Sequence, residues 1–260
     1  MCRLLGVVTR VPRPLTETLE GLLEPFTALS REHIDGWGIA ARRGREQILT
    51  RGTDPAYASP AYRSATRVTA DAALLHLRLA SPGAAVRPGN THPFVAGTLA
   101  FAHNGFFSPR EALDDLIEPE LLAGATGDTD SERFFLRVLS RLHGENTDPI
   151  DALAHTAADI GSRADFGSLN CLLLTESALY AYAQEDPESE VSRRRGPEFF
   201  RMHYRIGADD AVVTSNGVAT GENWETLPYG RILEIRRSDL RVSTHAVTTA
   251  APLRHAPDTP

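Results

Sequence analysis

Met1-Cys2-Arg3-Leu4-Leu5-Gly6-Val7-Val8 opens the chain, and the reading of this stretch decides the fold. Leu4, Leu5, Val7 and Val8 form a short apolar run that predicts a buried strand over residues 2–9. Cys2 stands directly behind the initiator methionine, where a small residue lets an aminopeptidase remove Met1. Processing would leave a thiol and a free α-amine on one residue. A thiol attacks only as thiolate. An α-amine titrates near pH ~8, so it can take the thiol proton at neutral pH. The plainer reading is a small buried cysteine with no reactivity. The rest of the sequence decides between the two.

The totals bound the answer. The 260 residues are ample for one large core. Hydrophobic content of 42% and charged content of 23% are ordinary globular values. A net charge of −7 argues against a nucleic-acid partner. No run of ~18 apolar residues reads as a membrane span. No basic-then-apolar leader is present at the start, so a cytoplasmic protein is expected. Cys2 and Cys171 are the only cysteines, too few for a disulfide framework or a cysteine-based zinc site. His76, His92 and His103 lack the spacing of a ligand set, and neither metal nor cofactor is expected.

Outward from the first strand, Leu15, Leu19, Leu22, Leu23, Phe26 and Leu29 recur as the stripe of one amphipathic helix. Asp35-Gly36-Trp37-Gly38 leads into a second strand that turns near Gly44 onto a partner at 46–51. Trp37 is expected in the core. Residues 73–80 read as a third strand carrying one charge, Arg78. A proline- and glycine-rich loop, 81–93, bears Asn90-Thr91-His92-Pro93-Phe94. A fourth strand, 98–103, is expected to end at the Asn104-Gly105 turn signal.

Ser108-Pro109-Arg110-Glu111 and Thr129-Asp130-Ser131-Glu132 read as capping boxes. They predict helices from 109 to about 122 and from 130 to Gly144, and Asp148-Pro149 caps a third. Residues 169–183 form a hairpin, and 184–200, with Arg193-Arg194-Arg195, a solvated loop. Strands follow at 211–215, 230–235 and 241–247. Strands, then helices, then strands predict α+β with mostly antiparallel sheets. Residues 2–249 read as one domain, and 250–260 as a disordered tail.

Four features resist a purely structural account: the N-terminal Cys2, Arg78 in an apolar strand, Asn104-Gly105, and a second aspartate, Asp130, that capping does not need. Met-Cys-Arg-Leu-Leu-Gly, Asp35-Gly36-Trp37-Gly38, His76-Leu77-Arg78-Leu79-Ala80-Ser81, Thr91-His92-Pro93-Phe94, His103-Asn104-Gly105 and Thr129-Asp130-Ser131-Glu132, in that order, resemble the class II glutamine amidotransferases. The resemblance implies an N-terminal-nucleophile (Ntn) hydrolase fold, a four-layer α/β/β/α sandwich of two mostly antiparallel sheets. It implies Cys2 as nucleophile with its own α-amine as base, and Asn104 with the Gly105 N–H as oxyanion hole. Arg78 would pair with the α-carboxylate of a glutaminyl group, and Asp130 with its α-ammonium. His92 and His103 are expected to border the substrate pocket.

The implied activity is hydrolysis of glutamine or another γ-glutamyl amide through a thioester, releasing glutamate and ammonia or an amine. Two alternatives stand beside it: ammonia delivery to a separate synthase, and an inactive glutamine-sensing module. Ser215-Asn216-Gly217 departs from the pattern of stand-alone members, which carry an acidic residue after the serine.

Overall fold

In β1 (Arg3–Pro14), alternate residues point to opposite faces, and both faces are buried. Leu4 and Val8 enter one apolar core while Leu5 and Val7 enter another, so the strand needs a layer on each side. The computed structural model, which describes residues 2–81, 83–145 and 147–247, supplies both.

The chain continues through α1 (Leu15–Thr18), α2 (Leu23–Ala28), β2 (Trp37–Arg43), β3 (Glu46–Gly52), α3 (Pro60–Ala65) and β4 (Thr69–Leu77). Then come β5 (Phe94–Ala96), β6 (Leu99–Ser108), α4 (Pro119–Ala123), α5 (Asp130–His143), α6 (Pro149–Arg163), β7 (Asp165–Leu174) and β8 (Ala178–Ala183). The last elements are α7 (Glu190–Arg195), β9 (Met202–Ile206), β10 (Asp210–Ser215), β11 (Glu225–Leu227), β12 (Arg231–Arg236) and β13 (Val242–Ala246).

Two antiparallel sheets result, in the orders β11-β9-β10-β1-β4-β2-β3 and β13-β12-β8-β7-β6-β5. Leu4, Leu74, Ala102, Leu172 and Leu233 meet between the sheets. Phe134, Val138, Leu153 and Ile160 of α5 and α6 cover the second sheet. Leu15, Leu19, Phe26 and Tyr62 of the first helices cover the first. The layers are α, β, β, α. Trp37 is fully buried in the outer core of the first sheet, its Nε1 donating to Asp54. Among the described residues no helix is long and apolar enough to cross a membrane.

Helix starts follow local chemistry. Thr129 Oγ1 accepts the Glu132 N–H at 3.2 Å, and Asp148 Oδ1 accepts from Ile150 and Asp151 at 2.8 and 3.0 Å. Four expectations need correction. The 15–29 helix is two short ones, because Gly21 adopts φ +75 and breaks the ladder between them. The 109–122 helix is a 3₁₀ segment over Arg110–Leu116 followed by α4. Pro119 forces Glu118 out of the helical region, and Ser108 pairs with Asp165 in β6 rather than capping. Residues 190–195 form α7 inside the expected loop, with Arg195 paired to Glu32. Strand β6 does not end at Asn104-Gly105 but runs on to Ser108. The disordered-tail reading of 250–260 lies outside the described residues.

Candidate active site

Antiparallel pairing of Arg3 with Leu77 sets the start of β1 beside the end of β4. Cys2 therefore meets the segment that follows β4, its Sγ 3.8 Å from the Leu79 carbonyl oxygen. The backbone behind it is pinned. Leu4 N–H donates to Ser215 Oγ at 3.0 Å, Thr214 Oγ1 donates to the Leu4 carbonyl at 3.1 Å, and Arg3 Nη1 donates to the Cys2 carbonyl at 3.0 Å. Ser215 thus anchors the strand that carries the thiol, a task the sequence alone does not announce.

Cys2 and Arg78 line one cavity of about 520 Å³, with Asn90, His92, Gly105 and Asp130 among the other residues on its wall. Arg78 is buried. Its Nη2 donates to the Ala85 carbonyl at 3.1 Å, while Nη1 has no partner among the described residues. The Asp35-Gly36 segment holds its backbone: Arg78 N–H donates to the Gly36 carbonyl, and Asp35 N–H to the Arg78 carbonyl. A charge so placed is a ready partner for an anion entering the cavity.

The alternation of β6 sorts its three candidates. Ala100 and Ala102 face the inter-sheet core and Phe101 faces α5, so Asn104 points between the sheets and His103 toward the helices. His103 Nε2 donates to the Ser168 carbonyl at 3.1 Å, which leaves Nδ1 to accept from Ser131 Oγ at 2.9 Å. His103 is not on the cavity wall; both ring nitrogens are engaged in tying α5 to β7. Asn104, the residue before the wall's Gly105 in β6, is fully buried, and neither its amide nitrogen nor its oxygen has a partner among the described residues.

Gly105 lies opposite Leu169, whose N–H goes to Gln184 on the other side of β7. By the pairing rule of antiparallel ladders, the Gly105 N–H is turned away from β7. A Cβ there would fall 1.7 Å from the Ser168 carbonyl oxygen, so the glycine serves close backbone approach and not a turn. An unpartnered amide beside an N–H freed from its ladder is a pair of neutral donors.

Asp130 keeps part of its surface open to the cavity, while its carboxyl accepts the Phe107 N–H at 3.0 Å. Burial of the carboxyl pushes its pKa up, against the pull of nearby His103 and of backbone N–H groups. The His92 ring packs against His76 with centroids 4.3 Å apart and planes tilted by 37°, and no nitrogen of either ring has a partner among the described residues. Among those residues, no group of three or more His, Cys, Asp or Glu is placed to hold a metal ion.

Burial depresses the basicity of His76, His92 and His103, and takes His33 down to about 4. Each favours the neutral ring in the folded state. Their stabilisation is complete above the unfolded value near pH ~6.5 and is lost as pH falls through it toward the folded value. Asp130 acts oppositely, in the carboxylate range. The unfolding free energy from urea titrations should therefore fall steeply between pH ~6.5 and ~4, by up to ~1.4 kcal/mol per pH unit for each histidine. A flat profile across that window would show that these rings are not buried neutral.

A family model described as glutamine amidotransferases class-II matches residues 1–258. Among solved structures, a glutamine aminotransferase class-II domain protein from Silicibacter pomeroyi superposes with a TM-score of 0.67 at 24% identity, covering 96% of this chain and 100% of that one. Glutamine phosphoribosylpyrophosphate amidotransferase from B. subtilis gives 0.64 at 16%, covering 96% of this chain and 50% of that one. A predicted glutamine amidotransferase from Pseudomonas aeruginosa gives 0.55 at 21%, covering 92% and 99%. No protein of curated function matches the sequence.

Proposed function

The chain belongs to the class II glutamine amidotransferases, and on that premise we propose that it hydrolyses the side-chain amide of glutamine or of a γ-glutamyl conjugate. Cys2 is the nucleophile, exposed as residue 1 of the processed protein. Its α-amine takes the thiol proton, and the thiolate attacks the amide carbon. The resulting oxyanion is held by the Asn104 side chain and the Gly105 N–H. As the C–N bond breaks, the α-ammonium returns the proton to the leaving amine. Water then attacks the thioester with the same amine as base, and glutamate leaves. Arg78 takes the α-carboxylate, Asp130 the α-ammonium, and His92 borders the pocket.

The observation that carries this reading is the unpartnered Asn104 amide. A fully buried amide with no hydrogen-bond partner among the described residues costs roughly 1–3 kcal/mol, a cost that a donor reserved for an oxyanion explains. A sensor would need Arg78 and Asp130 but neither the thiol nor that amide. Release to water and delivery of ammonia to a separate synthase share the same chemistry on Cys2. A free thiol at the N-terminus suits a reducing compartment such as the cytoplasm.

Intact mass tests the reading on untagged protein, before and after incubation with a γ-glutamyl diazoketone. Loss of Met1 and gain of one adduct is the expected result. A retained Met1 with no adduct would make Cys2 a structural thiol.

A further inference from the structure

Resting on the hydrolase reading, we propose that Asn90 is a positioning residue that sets the distance between the cationic and anionic ends of the head-group site. It would thereby make the cavity selective for a free, zwitterionic α-amino acid head. Asn90 is fully buried in the long loop. Its Nδ2 donates to the Ala85 carbonyl at 3.1 Å and to Asp128 Oδ1 at 2.6 Å, and its Oδ1 accepts the Asp128 N–H at 3.0 Å. The same Ala85 carbonyl accepts from Arg78 Nη2 at 3.1 Å.

One side chain therefore fastens the oxygen that grips the guanidinium to the peptide two residues ahead of Asp130. The far side of the link is held independently: the buried Glu132 carboxylate accepts both the Thr126 and Gly127 N–H groups at 2.8 Å. Arg78 and Asp130 come from different elements, β4's end and α5's start. Their relative placement is only as firm as the loops between them. Asn90 is the buried bridge between them, beside the half-exposed Arg87–Asp128 ion pair at 3.4 Å.

An α-carboxylate and α-ammonium on one carbon demand a cation and an anion at fixed separation. A des-amino substrate uses only the cation. If Asn90 sets that separation, its loss weakens the zwitterion and leaves the des-amino compound nearly unaffected.

The test compares labelling of Cys2 by a γ-glutamyl diazoketone and by the same compound lacking its α-amine, in wild type and in Asn90→Ala, Asp128→Ala and Asp128→Asn. Half-saturating concentration and limiting rate are read separately by intact mass, with thermal unfolding in parallel. Asn90→Ala should raise the half-saturating concentration of the amino probe about tenfold or more, with the limiting rate within about threefold. Preference over the des-amino probe should fall by the same factor. Asp128→Ala, at a half-exposed side chain, should move both quantities the same way by less, and Asp128→Asn, whose oxygen still accepts from Asn90, should restore them.

Unchanged preference in folded variants, or a lowered limiting rate at unchanged saturation, overturns the proposal. If Asn90→Ala does not fold, the two Asp128 variants decide alone. Absence of labelling in the wild type sinks the hydrolase reading and this one with it.

Discussion

Cys2→Ala is expected to abolish turnover and labelling while leaving the fold unchanged. The side chain is only part-buried, and among the described residues its polar contact is the 3.8 Å approach to the Leu79 carbonyl. Removing a single sulfur there costs well under ~1 kcal/mol by the buried-area rule. The pinning of the strand is carried by Ser215, Thr214 and Arg3, which bond to backbone atoms that alanine retains. A second variant separates the thiol from the base. Inserting a glutamate between Met1 and Cys2 keeps Met1 in place and leaves the thiol intact, but the α-amine no longer sits on the cysteine. Loss of a positioned general base costs ~10²–10⁴ in rate. Turnover in the inserted form should fall by that much. Turnover that survives Cys2→Ala would sink the catalytic reading outright.

The sequence carries much of this site because each of its parts is local. A thiol after Met1, an arginine alone in an apolar strand, a glycine after an asparagine and an extra aspartate at a helix start are each visible in a few residues. That Cys2, Arg78, Gly105 and Asp130 reach one cavity follows from antiparallel pairing of β1 with β4 and from β6 passing the start of α5. Most of what is not legible depends on partners that the local motif does not name. Asn104-Gly105 has the chemistry of a turn, yet pairing with Asn170 and Leu169 carries the strand through it. His103 is adjacent to the site in sequence and on the opposite face in space. Glu132 fits the capping box, but its carboxylate bonds Thr126 and Gly127 instead of the Thr129 N–H. Strand β9 alternates Met202, His203, Tyr204, Arg205, a pattern too polar to read as a strand until β10 and β11 flank it. Asn90 is a loop residue whose burial and bonds to Ala85 and Asp128 no local pattern announces.

Asn104→Ala should lower the acylation rate ~10²–10³-fold and leave thermal stability unchanged or slightly raised. The rate follows from losing one of two oxyanion donors, worth ~2.7–4 kcal/mol in a dry site. The stability follows from the hydrogen-bond inventory. Alanine removes two buried polar atoms that have no partner among the described residues, and so breaks no internal bond. The small void left between the sheets costs a comparable amount, and the two effects offset. Asn170 provides the control. It sits directly across the ladder, equally buried, but its Nδ2 donates to the Phe200 carbonyl at 2.5 Å and its Oδ1 accepts the Gln184 N–H at 2.9 Å. Asn170→Ala should therefore lose ~1–3 kcal/mol of stability, with a smaller effect on acylation than at Asn104. Two asparagines on facing strands would then divide the labour, one satisfied and structural, the other left free for the reaction. Single-turnover acylation measured beside thermal unfolding decides it. If both variants lose stability and rate in the same proportion, Asn104 is only a strand residue and the oxyanion needs another donor.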